Sequence, residues 1–276
     1  MTNYYDLKGY YTSSEIKEYL IDPISWEGRY YYGRKVSTAP MQLGTLAHQA
    51  ILEPEAFAKE TLCRPDGIKL NTKAGKEWKA QNSNKTVLDA KSEETINGII
   101  RGMEATPCTQ QPFKDSGTIL NFLRSKTKVE QEFISDGLKL TEDFIRPVKL
   151  KCDAYWMNGN VVNIIDVKTT SNFGRPINAI KLGRYDAQAA WYGVNMMKML
   201  GAEDFVFSNL FVETAEPYRS MLVPLPTAHL KSVYQECLQA IVGIESARKR
   251  LDAKEIPHYR EQVIFNVTAD EIKRGW

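Results

Sequence analysis

The chain has 276 residues, 43% of them hydrophobic and 25% charged, the composition of a soluble globular protein with room for a sizeable core. Its 36 basic and 34 acidic residues leave a net charge of +2, so bulk charge gives almost no attraction for nucleic acid and any such binding must come from local patches. No apolar run reaches the ~18 residues needed to span a bilayer, and the opening Met1–Lys8 lacks the basic-then-apolar order of a signal peptide, so a cytoplasmic protein without membrane contact is expected.

Taken in chain order, Thr12-Ser-Ser-Glu15 is a capping-box pattern that predicts a short helix through Leu20. Pro23 starts a new segment. Met41 to Glu53 reads as a helix with Leu43, Leu46, Ala47, Ala50 and Ile51 on its apolar stripe, ended by Pro54. Helices are also predicted over 72–82, 90–105 and about 116–123. Strands then take over, at about 127–134, 137–141, 148–157 and 160–169. Residues 176–182 and 184–200 read as helices, 205–212 and 218–223 as strands, and 229–251 as a long amphipathic helix followed by a mixed tail. There is no internal repeat, low-complexity run or linker. The order favours a single α/β domain with a central mixed β-sheet flanked by helices. Residues 1–125 form its mainly helical portion, 126–225 its β-rich core and 226–276 its C-terminal helical portion.

The four cysteines, Cys63, Cys108, Cys152 and Cys237, form no C-x-x-C pair, so free thiols are expected. Cys152 precedes Asp153 and should point away from it, into the core. Three patches mix basic and aromatic or clustered basic residues. They are Arg29 with Tyr30, Tyr31, Tyr32, Arg34 and Lys35; Lys69, Lys73, Lys76 and Lys79 around Trp78; and Arg124, Lys126 and Lys128.

The most informative stretch runs from Lys149 to Lys168. Asn158-Gly159 lies between two β-rich runs, a strong hairpin signal because both residues tolerate positive φ. A two-residue loop there sets Asp153 opposite Ile164 and Lys151 opposite Asp166. Alternation along the strands then puts Asp153, Ile164, Asp166 and Lys168 on one face. Asp153 and Asp166 become diagonal neighbours with Cβ atoms roughly 7 Å apart or less. Both can reach one Mg²⁺, whose oxygen ligands lie about 2.1 Å away. An Asp-x-Lys on its own is common on solvated strands. Here Val161, Val162, Ile164, Ile165 and Val167 make the second strand nearly apolar, and charges inside such a strand are costly unless paired or bound to metal. The pattern suits a metal-assisted phosphodiesterase.

Further candidates lie elsewhere. His48 sits in the Met41–Glu53 helix. Glu130 and Glu132 share a face of the strand that precedes the hairpin. Gln188 and Tyr192, at i and i+4, lie one above the other on a helix.

The ordered set Gly44-Thr-Leu-Ala-His48, Glu130, Asp153, Asp166-Val-Lys168-Thr-Thr and Gln188-x-x-x-Tyr192 resembles the PD-(D/E)xK nuclease superfamily, in the branch with a histidine helix and a Gln-x-x-x-Tyr motif. It looks most like the RecE-type exonucleases (exodeoxyribonuclease VIII) of phages and prophages. Tyr11-Thr-Ser-Ser-Glu-Ile-Lys17, Asp22-Pro23 and Leu52-Glu-Pro54 are similar to further parts of that family, so the resemblance runs from about residue 11 to 192. It implies a restriction-endonuclease-like core in which Asp153 and Asp166 bind Mg²⁺ or Mn²⁺, helped by the Val167 carbonyl. Glu130 would be a further acidic ligand, with Glu132 as its rival, and His48 would complete or flank the site. Lys168 would orient and activate the attacking water and stabilise the pentavalent phosphate, while Gln188 and Tyr192 would position the DNA strand or Lys168. The family's arginine-rich approach to the first aspartate is replaced by Leu150-Lys-Cys-Asp153, so any contact those arginines carry is in doubt. Related four-cysteine nucleases hold an iron–sulfur cluster; only Cys237 follows Gln188 here, so no iron–sulfur cluster is expected.

The resemblance also implies 5′→3′ resection of linear double-stranded DNA ends, leaving a 3′ single strand for recombination in a bacterial or phage-infected cell. It implies a ring-like homo-oligomer, with a tetramer as the candidate, and a partner single-strand annealing protein. The alternatives are a structure-specific or restriction endonuclease on the same fold, and an inactive DNA-binding protein.

Overall fold

A computed structural model describes residues 4–34, 37–65, 67–69 and 71–253. The expected mixed tail and Lys35 lie outside the described residues. The first helices are α1 (Ser13–Ile21), α2 (Pro23–Trp26), α3 (Ala39–Leu52) and α4 (Pro54–Glu60). Then come β1 (Thr61–Cys63), α5 (Lys73–Gln81), β2 (Thr86–Leu88), α6 (Ala90–Ala105) and α7 (Ile119–Lys126). The second half runs β3 (Lys128–Lys139), β4 (Ile145–Asn158), β5 (Val161–Thr170), α8 (Pro176–Leu182), α9 (Tyr185–Leu200), β6 (Asp204–Glu213), β7 (Ser220–Leu225) and α10 (Thr227–Asp252).

Local chemistry explains most boundaries. The Thr12 side chain accepts from the Glu15 N–H and caps α1, a contact contributing about 1 kcal/mol. The reciprocal half of the expected box is missing. The Glu15 carboxylate instead turns inward to Trp26 Nε1 (3.2 Å) and Arg248 (2.6 Å). Helix α3 begins earlier than Met41 because Thr38 caps it and Pro40 fits its first turn. Helix α7 starts later than expected, at the residue after its cap Thr118. The two strands expected at 127–134 and 137–141 are one strand, β3. The break expected between them is absorbed as a register shift between Ser135 and Leu138.

The main sheet has the order β3-β4-β5-β6-β7. Neighbours are antiparallel except β5 and β6, which are parallel and joined through α8 and α9. A parallel pair requires a crossover of this kind. One face packs on α1, α9 and α10, through Ile16, Trp191, Phe205, Phe207 and Ile241. The other packs on α3, α6 and α7, through Ala47, Ile51, Ile99, Leu120, Ile165 and Val167. Strand β5 is therefore covered on both sides, as its apolar run implied. The parallel pair β1–β2 stands apart from the main sheet.

The hairpin differs from expectation in its register. Asn158 pairs with Val161 and Ala154 with Ile165, so the loop is Gly159-Asn160 and not Asn158-Gly159. Gly159, at φ +57°, leads the turn, a position where glycine takes positive φ at no steric cost. The shift is by two residues, an even number, so the side chains of the paired stretch from Ala154 to Ile165 keep their faces. Continued by one pair, the register sets Asp153 directly across from Asp166, closer than the diagonal placement expected.

Candidate active site

Asp153 sits where the sheet changes hand. Leu150 and Cys152 point into the core under α9 and α10, whereas Ala154 points into the core on the opposite face. Strict alternation would put all three on one side. Strand β3 makes the same switch: Phe133 joins the first core and Val129 the second. The residue of β3 that falls opposite Asp153 is Glu130, and it adopts φ +51°. Such a backbone costs on the order of 1–3 kcal/mol in a non-glycine residue and concentrates at functional sites. Glu130 and Asp153 thus meet at a kink shared by two strands. Cys152 is buried as expected, and burial pushes its thiol well above the ordinary range.

A cleft of about 570 Å³ opens at this kink. His48 reaches it from α3, Glu130 from β3, Asp153 from β4 and Tyr192 from α9. One ligand atom from each of His48, Glu130 and Asp153 lies within 4.8 Å of the others, a donor set suited to a divalent cation. His48 Nδ1 is 3.5 Å from Asp153 Oδ2, and the same oxygen accepts the Val167 N–H at 2.8 Å. The Val167 backbone therefore touches the site through its amide; its carbonyl was the expected ligand. Glu130, not Glu132, lines the cleft, and its carboxylate meets Lys151 Nζ at 2.6 Å.

Asp166 lies deeper, 2% exposed. A buried carboxylate is costly unless paired, and two groups answer this one while holding each other. Lys168 Nζ is 2.5 Å from its Oδ2, Gln188 Nε2 donates to its Oδ1 at 2.8 Å, and Gln188 Oε1 accepts from Lys168 Nζ at 3.2 Å. Only this orientation of the Gln188 amide gives both neighbours a complementary partner. Gln188 thus fixes Lys168 and Asp166 against each other. Asp166 stands apart from the His48–Glu130–Asp153 triplet while facing Asp153 across the strands.

The electrostatics separate the groups. Burial acts against the Lys168 ammonium, but the Asp166 and Asp153 carboxylates outweigh it and hold its pKa above the ordinary lysine range. Lys168 is a fixed positive charge and keeps its proton. Burial drives the Asp153 carboxyl the other way, up to about 6, against His48, Lys168 and the Val167 amide, which lower it; the Asp166 charge adds to the rise. Its ordinary value is 3.8, so the folded chain binds this proton more tightly than the unfolded chain. The stability it contributes is fully present below about pH 4 and is lost as pH rises through about 6. A cation held by His48, Glu130 and Asp153 would compete for the same oxygen. Mn²⁺ should therefore raise the melting temperature strongly at pH 8 and little at pH 5, in thermal melts with and without the ion. Equal shifts at both pH values would contradict this.

Tyr192 is buried beside Ser13, which hydrogen-bonds its hydroxyl, and burial keeps that hydroxyl protonated. Several residues here carried no signal in the sequence. Lys149 Nζ donates to the carbonyls of Tyr4 (2.8 Å) and Leu7 (2.7 Å), tying the N-terminal segment down so that Tyr4 and Tyr5 wall the cleft. Tyr185 places its ring 4.8 Å from Lys168 Nζ. Lys17, on α1, approaches the same ring. The basic patches fare differently. Arg124 is spent on the Ala50 and Ile51 carbonyls, where it caps α3, and Arg29 pairs with Glu18.

Sheet order and two-sided helical cover define a mixed α/β fold in which Asp153, Asp166 and Lys168 are gathered on two adjacent strands. Over 100% of this chain and 99% of its own, the crystal structure of a candidate exonuclease from Eubacterium rectale has the same fold, at TM-score 0.55 and 12% identity. An alkaline exonuclease from Laribacter hongkongensis aligns over 89% of this chain and 93% of its own at 13% identity, with a TM-score of 0.36. No protein-family model matches the sequence, and no curated protein does. Among the described residues, no helix is long and apolar enough to cross a membrane.

Proposed function

We propose that this chain is a metal-dependent exodeoxyribonuclease that hydrolyses phosphodiester bonds at the ends of linear double-stranded DNA. The observation that carries the reading is the cleft itself. His48, Glu130 and Asp153 converge on it, and Asp166, Lys168 and Gln188 form a locked group across the same strands. Five separate elements, α3, β3, β4, β5 and α9, deliver these side chains. Chance surface charge does not build a buried carboxylate–lysine–amide triad beside a cluster of metal-ligand type.

His48, Glu130 and Asp153 would hold Mg²⁺ or Mn²⁺, with Asp166 facing them. When bound there, such a cation neutralises phosphate charge and acidifies a coordinated water. The chain's own groups do the rest. Lys168, kept charged by its carboxylate neighbours, stabilises the negative charge that grows on the phosphoryl oxygens. Gln188 holds the Lys168 ammonium in place, so that no reorganisation is needed during the reaction. Tyr192 and the Tyr4–Tyr5 wall confine the strand that enters.

Cleavage in the 5′→3′ direction, action as a homo-oligomeric ring and cooperation with a single-strand annealing protein follow from the RecE-type resemblance and belong to this proposal. The test is a comparison of linear and covalently closed duplexes. With Mg²⁺, end-labelled linear DNA should lose its 5′ label first, and closed circular DNA should stay intact. Nicking of the circle would favour an endonuclease of the same fold.

A further inference from the structure

A lysine outside the expected site completes its positive side. Lys17, on α1, is half-buried with its Nζ 5.1 Å from the centre of the Tyr185 ring. Lys168 Nζ stands 4.8 Å from the centre of that same ring. Two ammonium groups thus share one aromatic ring at the junction of α1 and α9. Their charges are answered differently. Lys168 has Asp166 at 2.5 Å, whereas Lys17 has no carboxylate within ion-pair distance among the described residues. Its neighbour Glu18 is engaged by Arg29 at 2.7 Å. Burial, and then the Lys168 charge, pull the Lys17 pKa down to about 8, although the Asp166 and Glu18 charges act the other way. A ring face contributes only about 0.5–2 kcal/mol to holding a cation. The fold therefore keeps a partly desolvated cation next to another cation with no carboxylate in ion-pair contact among the described residues, an arrangement that an incoming anion would relieve.

We propose that Lys17 binds a backbone phosphate of the DNA strand next to the scissile one, with Tyr185 as the spacer that sets its distance from Lys168. The inference rests on the phosphodiesterase reading of the neighbouring site. Lys168 serves the reacting phosphate, and Lys17 serves the adjacent one. The spacing between the two ammonium groups then acts as a ruler along the backbone.

The experiment pairs Lys17→Met and Lys17→Gln with duplexes that each carry one neutral methylphosphonate near the end. KM and kcat are measured for every combination. The proposal expects KM to rise by about tenfold in both variants, the loss of one phosphate contact, with kcat nearly unchanged. One methylphosphonate position should weaken the wild type and cost the variants nothing more. Binding without cleavage, measured in EDTA across a salt series, should lose ~0.9 from the slope of log K against log salt. Lys17→Arg should restore the slope. Full additivity at every position with an unchanged slope would overturn the proposal. If wild-type protein leaves unmodified DNA intact in Mg²⁺, the enzymatic reading fails, and the salt slope still decides whether Lys17 meets a phosphate. If Lys17→Met fails to fold, Lys17→Gln provides the same two readouts.

Discussion

Asp166→Asn is expected to lower kcat by ~10³-fold or more while the protein stays folded. The asparagine keeps the shape of the carboxylate and still offers an oxygen to Gln188 Nε2, which donates to Asp166 Oδ1 at 2.8 Å. It removes the negative charge that faces Asp153 across the strands. Lys168 retains Gln188 Oε1 as a partner. Asp166→Ala is the poorer variant, because it leaves the buried Lys168 ammonium and the Gln188 amide without their shared acceptor, and an unanswered buried charge costs several kcal/mol. A single-turnover assay on end-labelled duplex, with circular dichroism to confirm the fold, reads the effect. Cleavage by Asp166→Asn within about tenfold of wild type would remove this residue from the chemistry.

The second large effect is expected at Lys168. Lys168→Met keeps the length of the side chain and deletes its charge. Loss of one preorganised charge at the reacting group typically costs about 10²–10³ in kcat. Because Lys168 keeps its proton in the folded chain, its removal should lower kcat without abolishing an alkaline limb of the pH profile. Metal affinity should hold or rise, since a competing cation is gone from beside Asp166. Isothermal titration with Mn²⁺ and steady-state kinetics on the same preparation check both halves. A variant that loses Mn²⁺ binding while keeping kcat would assign Lys168 a structural role only.

Much of this site was readable in the sequence, and the residues show why. The Val161–Val167 run and the nearby Asn-Gly-Asn made the hairpin legible. Its register was not, because Asn158-Gly159 and Gly159-Asn160 are both good two-residue turns. The two registers differ by an even step, so the predicted face survived the error in pairing. That step moved Asp166 from a diagonal to a directly opposed position. Thr12 marked the start of α1, whereas the starts of α3 and α7, capped by Thr38 and Thr118, fell at other residues than expected.

The meeting of His48, Glu130 and Asp153 had no local signature. These residues come from α3, β3 and β4, and only the resemblance joined them. The positive φ of Glu130 was also invisible, since glutamate has no preference for that conformation. It is nonetheless the kink that turns the carboxylate pair into the cleft. Lys17, Lys149 and Tyr185 were missed for the same reason. Their roles come from partners far along the chain: Tyr4 and Leu7 for Lys149, Tyr185 for Lys17 and Lys168 for Tyr185.

The central claim is that this cleft hydrolyses DNA by means of a divalent cation. The most direct measurement incubates the wild-type chain with end-labelled linear duplex, in Mg²⁺, in Mn²⁺ and in EDTA, and follows release of labelled nucleotide. Release with either metal, none in EDTA, and none from Asp166→Asn in any of the three is the predicted result. Equal release in EDTA, or none with either metal, would contradict it.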